Sequence, residues 1–183
     1  MTFDDELKRS VKKVIVSERE LKKAVKALGK KMTKDLEGED LVIVGLLTGC
    51  IPFLPDLLKE LKLKVLVNYI QAASYEGQES SGKVKISGVL KESITDKHVI
   101  LVDDIIDTGV TLKELTKYLY DQGAKKVTTC VLASKVGTRK VEFEADYKAL
   151  EVPNEFVFGY GLDYDGYYRN LPYIAALKDE LYK

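Results

Sequence analysis

Val99-Ile100-Leu101-Val102-Asp103-Asp104-Ile105-Ile106-Asp107-Thr108-Gly109-Val110-Thr111-Leu112 runs from an apolar segment through two adjacent acids into a loop of acid, hydroxyl, glycine and hydroxyl. Val99 to Val102 is short, apolar and branched, as a buried parallel strand should be. Asp103 and Asp104 then fall at its carboxyl end, where open α/β sheets bind their ligands. Carboxylates there can hold sugar hydroxyls or a hard cation. The following Thr108-Gly109-Val110-Thr111 supplies a glycine for close backbone approach, two hydroxyls and the start of a helix. That combination suits a phosphate monoester. One site can thus grip a ribose and its 5′-phosphate together.

Outward from this stretch, helices and strands alternate. Ser17 to Leu36 carries apolar residues at helical intervals (Leu21, Val25, Leu28, Met32, Leu36), with Ser17 and Glu20 spaced as a capping box. Its lysines read as a solvated face. Leu41 to Leu47 is a buried-strand candidate, Pro52 to Leu61 a helix and Val65 to Ala72 a strand. Leu112 to Gln122 is an amphipathic helix that stops at Gly123. Val127 to Ala133 is a strand, and Lys135 just beyond it shares the sheet edge of Asp103. The alternation predicts a central, mainly parallel sheet flanked by helices. No repeat, low-complexity tract or linker divides the chain, so residues 1–183 are expected to form one domain.

Composition narrows the function. Lys plus Arg is 29 and Asp plus Glu is 29, so no global field recruits nucleic acid or an anionic membrane. No apolar run approaches a membrane span and no secretory leader is evident, which makes the cytoplasm the expected location. Cys50 and Cys130 have neither metal-ligand spacing nor a disulfide framework. His98, the one histidine, precedes an apolar strand and reads as structural.

The ordered set from strand through paired acids to Asp107-Thr108-Gly109-Val110-Thr111 resembles the phosphoribosyl-pyrophosphate signature of type I phosphoribosyltransferases. The likeness runs from about Val14 to Tyr173. It implies that Asp103 and Asp104 orient ribose and its Mg²⁺, and that Thr108 to Thr111 hold the 5′-phosphate. It further implies that the turn at Thr48-Gly49 contacts pyrophosphate, often through a strained non-proline peptide bond. The carboxylate at Asp107 is similar to that of the members acting on 6-oxopurines, where it lies near purine N7 and manages the proton lost as N9 attacks. Asp107 also suits a helix cap, and the sequence leaves both roles open.

The carboxy-terminal third extends the resemblance. Lys135 would donate to a purine 6-oxo group and reject a 6-amino group. Val152 to Tyr164, with its Gly-Tyr-Gly-Leu-Asp-Tyr run, resembles the segment that builds a small hood over the base, so residues 150–183 are expected to contribute to that hood. On this likeness Phe156 stacks on the base, the Val157 backbone meets its pyrimidine edge, Asp163 helps hold the base and a second magnesium, and Arg169 contacts pyrophosphate. Ser74 and Tyr75, in a loop of small and polar residues, correspond to a lid that closes over the reacting centre. Two positions depart from the family pattern: Thr48 stands where lysine is usual, and Asp103 where glutamate is. The implied reaction is Mg²⁺-dependent transfer of phosphoribose to hypoxanthine, and to guanine, in purine salvage, by a homodimer or homotetramer. The competing readings are a xanthine- or uracil-using relative, and a regulatory RNA- or nucleotide-binding protein that keeps the fold without catalysis.

Overall fold

The computed structural model describes residues 3–74, 84–87 and 90–182. Its helices are α1 (Phe3–Ser10), α2 (Glu18–Asp35), α3 (Phe53–Glu60) and α4 (Val110–Asp121), and its strands are β1 (Val11–Val16), β2 (Leu41–Leu47), β3 (Val65–Ser74), β4 (Val84–Ser87), β5 (His98–Ile106), β6 (Lys126–Lys135), β7 (Tyr147–Val152), β8 (Val157–Phe158) and β9 (Ile174–Leu177). The main sheet has the order β4-β3-β2-β5-β6-β7. Its strands are parallel except for β4, which runs antiparallel to β3.

Alternating side chains of the central strands divide the core. Leu41, Ile43, Ile100, Val102 and Leu132 pack with α2 and α3 on one face. Val42, Val44, Val99, Leu101 and Val131 pack with α4 on the other. The Ser17 capping box forms as the sequence predicts: the Ser17 hydroxyl accepts from the Glu20 amide, and the Ser17 amide donates to the Glu20 carboxylate at 2.8 Å. Packing dominates the stability of that helix, however. Burying Leu21, Val25, Leu28 and Met32 contributes about 2 kcal/mol apiece, against about 1 kcal/mol for a cap.

Two element boundaries move in ways that matter for the site. Strand β5 does not stop at Val102 but continues to Ile106, so Asp103 and Asp104 lie inside it. Helix α4 starts at Val110, two residues before the predicted Leu112. A second sheet, of order β1-β9-β8, forms the hood. Two of its strands come from the carboxy-terminal segment, as expected. The third, β1, pairs antiparallel with β9 through Val16↔Ile174 and has no counterpart in the sequence reading. His98 opens β5 at the sheet end opposite the acids. It is buried, with Nε2 2.7 Å from the Thr128 hydroxyl.

Candidate active site

The site opens where two neighbouring strands part. Pairing between β2 and β5 ends at Gly45↔Val102, whereas β5 and β6 stay paired to Ile106↔Ser134. Beyond the split the acids satisfy their own backbone. The Asp104 amide donates to Asp103 Oδ1 at 2.8 Å, and the Ile105 amide donates to Asp104 Oδ1 at 2.7 Å. That is how a strand carries two consecutive acids past its neighbour's end. Burial pushes both carboxyls above the ordinary carboxylate range, and for Asp103 the adjacent Asp104 charge adds to the effect. A buried and a half-buried carboxylate side by side are costly unless a cation joins them.

Strand β2 leaves the sheet through a cis Leu47–Thr48 peptide bond. The turn then presses Gly49 against Asp104: a Cβ on Gly49 would lie 1.6 Å from Asp104 Oδ2. Only glycine lets the turn approach the acid this closely. Thr48 is exposed and its side chain offers no charge. Cys50, next in the turn, is fully buried. Burial first, then Asp103 and Asp104, pushes its thiol up to about 12, so it is no nucleophile.

The acid pair fits Mg²⁺ of one particular kind. Among the described residues no three His, Cys, Asp or Glu converge as a cage. Mg²⁺ typically keeps several waters and takes one or two carboxylates together with substrate phosphates. Asp103 and Asp104 match that partial donor set.

At the end of β5 the chain enters the phosphate-type loop. Gly109, at φ +82°, is the N-cap residue of α4 and brings no capping side chain. The Val110 amide reaches only the Thr108 hydroxyl, at 3.4 Å. The helix N-terminus, with Thr108 and Thr111 beside it, is therefore presented to an anion. Asp107 is not the cap, a place that Gly109 takes. Its carboxylate pairs instead with Lys135 Nζ at 2.8 Å. Burial works against the Asp107 charge, but the hydrogen bonds from Lys135 and Thr138 and the charges of Lys135 and Arg139 outweigh it, holding the carboxyl below its usual range.

Lys135, the last residue of β6, is no surface lysine: its side chain is 14% exposed. With Asp104, Ile105, Asp107, Phe156, Val157, Leu162 and Asp163 it lines a cavity of 210 Å³. The Phe156 ring is held edge-on by Tyr164, with centroids 5.7 Å apart, and tilted against Tyr182 at 5.3 Å. Asp163 accepts from the Gly166 amide at 2.9 Å and pairs with Arg169 at 2.8 Å. Arg169 also donates to the Gly161 carbonyl at 2.6 Å. It faces a different cavity, of 290 Å³, beside Pro52, Asp56 and Tyr160. Residues predicted to touch the base thus converge, while Thr48 and Arg169 sit outside that cavity. Ser74 ends β3; its side chain and Tyr75, the expected lid tip, lie outside the described residues. The sequence reading missed Thr138 and Arg139, whose side chains grip the backbone under Asp107. No motif marks them, because they act on carbonyls that every residue carries.

Three comparisons bear on this geometry. Residues 13–165 match the phosphoribosyl transferase domain family. The hypoxanthine-guanine phosphoribosyltransferase of Streptococcus pneumoniae is 44% identical over 177 residues, covering 96% of this chain and 98% of that protein. Its counterpart in Staphylococcus aureus is 40% identical over 173 residues, covering 94% and 97%. Among solved structures, a hypoxanthine phosphoribosyltransferase from Staphylococcus aureus superposes with a TM-score of 0.92 at 38% identity, over the whole of both chains.

Proposed function

Since this chain belongs to the phosphoribosyltransferase family, as a purine-salvage enzyme of its hypoxanthine-guanine branch, we propose that the 210 Å³ cavity takes hypoxanthine, and guanine, for coupling to 5-phosphoribosyl 1-pyrophosphate. The observation that carries this reading is the Asp107–Lys135 pair at 2.8 Å on the cavity wall. Lys135 offers N–H donors to a 6-oxo group and has nothing to accept from a 6-amino group. Asp107 stands ionised beside it, able to take the imidazole proton that the purine must lose. Phe156 supplies the stacking face, and Asp163 and the Val157 backbone border the rest of the ring.

On the donor side, Asp103 and Asp104 orient the ribose hydroxyls. Thr108, Gly109, Val110 and Thr111 hold the 5′-phosphate at the α4 N-terminus, and the Thr48-Gly49 turn and Arg169 meet the pyrophosphate. Asp103, Asp104 and, for a second ion, Asp163 are the residues that would hold Mg²⁺, which when bound offsets the negative charge of the leaving pyrophosphate. As the C1′–O bond loosens, N9 attacks and Asp107 manages the charge at N7; the gain comes chiefly from alignment. Because Thr48 carries no charge, the backbone of the turn does more of the pyrophosphate binding. The working form is a cytoplasmic homo-oligomer acting on small molecules; among the described residues no helix is long and apolar enough to cross a membrane.

The test is product formation with the donor, Mg²⁺ and, separately, hypoxanthine, guanine, xanthine, adenine and uracil. Nucleotide from hypoxanthine, with or without guanine, and none from adenine or uracil is expected. Turnover of adenine at a comparable rate would overturn the role given to Lys135.

A further inference from the structure

Asp107 and Lys135 come from two different strand ends, and something must fix the distance between them. The β5–β6 ladder reaches only Ile106↔Ser134. One residue later β5 has ended, and the carbonyls of Asp107 and Lys135 lie past the last β5–β6 pair. Arg139 fills that gap. Its Nη1 lies 3.2 Å from the Ile106 carbonyl, 2.6 Å from that of Asp107 and 3.0 Å from that of Lys135. Its Nη2 donates to the Ser134 hydroxyl at 2.7 Å. On its outer edge Nη2 donates to Glu144 Oε2 at 3.2 Å, and Glu144 Oε1 lies at ion-pair distance, 3.0 Å, from Nε. Thr138 adds a hydroxyl donor to the same Asp107 carbonyl at 2.9 Å, and the Lys140 amide donates to the Thr108 carbonyl at 2.9 Å.

We infer that Arg139 is the positioning residue of the base-side pair, clamping the ends of β5 and β6 so that Asp107 and Lys135 meet the purine together. The inference rests on the proposed base-side roles of those two residues. A guanidinium is well shaped for such a clamp, being planar, always charged and equipped with donors in a rigid fork. It spans several carbonyls where an ammonium would satisfy one or two. Arg139 is 16% exposed in its side chain and does not line the base cavity. It acts through the backbone of Asp107 and Lys135, and Glu144 balances its charge.

The experiment is a double-mutant cycle. Arg139→Gln and Arg139→Lys are each made in the unaltered enzyme and in Asp107→Asn, and kcat and the KM of base and donor are measured with thermal midpoints alongside. In the unaltered enzyme Arg139→Gln should lower kcat by about 30-fold, with donor KM moving less than about threefold. Arg139→Lys should recover only a small part of that loss. In Asp107→Asn the same Gln substitution should cost less than about threefold, because the group it positions is already disabled. Should Arg139→Gln fail to fold, Thr138→Val carries the same cycle with a loss of about threefold to fivefold. Equal losses in both backgrounds, or a loss confined to donor KM, would overturn the inference. If Asp107→Asn alone leaves kcat intact, it is the base-side reading that fails.

Discussion

Gly161 lies so close to Gly49 that a Cβ on Gly161 would stand 2.1 Å from the Gly49 carbonyl oxygen. Through this contact the hood touches the turn that leads out of β2, and Gly49 in turn touches Asp104. Hood and turn are therefore joined here backbone to backbone.

Gly161→Ala is accordingly expected to cost about 2–3 kcal/mol of stability, since both its φ of +102° and the Gly49 carbonyl oppose a side chain. It should also raise the donor KM, by displacing the turn. Gly166→Ala is the control: φ is +81° but nothing lies within 4 Å, so the cost should be about 1 kcal/mol. Urea denaturation and donor KM check both; equal costs at the two positions would count against the contact.

Lys135→Met removes the partner that holds the Asp107 carboxyl below its usual range. A carboxylate with a depressed folded pKa is ionised down to unusually low pH, and losing Lys135 brings that value back up. The acid limb of kcat/KM should therefore move to higher pH in the variant. A limb that stays put would assign it to another group.

Asp103→Asn should stabilise the protein while disabling it. The folded pKa of this buried acid is raised, so its charge penalises folding at every pH above that value and the penalty is relieved as pH falls through it. At neutral pH, without Mg²⁺ or substrate, the neutral amide should add about 1–2 kcal/mol. Its hold on Mg²⁺ and donor should weaken at the same time. Denaturation with a chelator present makes the measurement, and a less stable Asn variant would mean that the acid pair is not strained by its own charge.

Phe156→Leu keeps apolar volume in the cavity but removes the stacking face that Tyr164 and Tyr182 hold upright. Loss of about 1 kcal/mol of ring contact should raise the KM for base by about fivefold, with kcat little changed. A change in kcat alone would point to misalignment of the base.

How far the sequence could be read depended on what kind of information each feature carries. The apolar run of Leu41 to Leu47, the Ser17–Glu20 cap and the loop after Ile106 are local patterns, and they appear where the sequence put them. The end of β5 was misjudged because acids normally stop a buried strand; here Asp103 and Asp104 bond the next amides and let it continue. Strand β1 was invisible because its pairing reason lies with Ile174 to Leu177, far along the chain. Arg139 was invisible for a related reason. It recognises backbone carbonyls exposed by the ending of two strands, and that geometry exists only after folding.

The β1–β9 pairing also sets an order of events during synthesis. Strands β2 to β7 can assemble, acids and phosphate loop included, once residue 152 has emerged from the ribosome, whereas β1 waits for residues 174–177 to meet it. A nascent chain therefore completes the strand ends that carry Asp107 and Lys135 before β8 and β9 can bring Phe156 and Val157 over them.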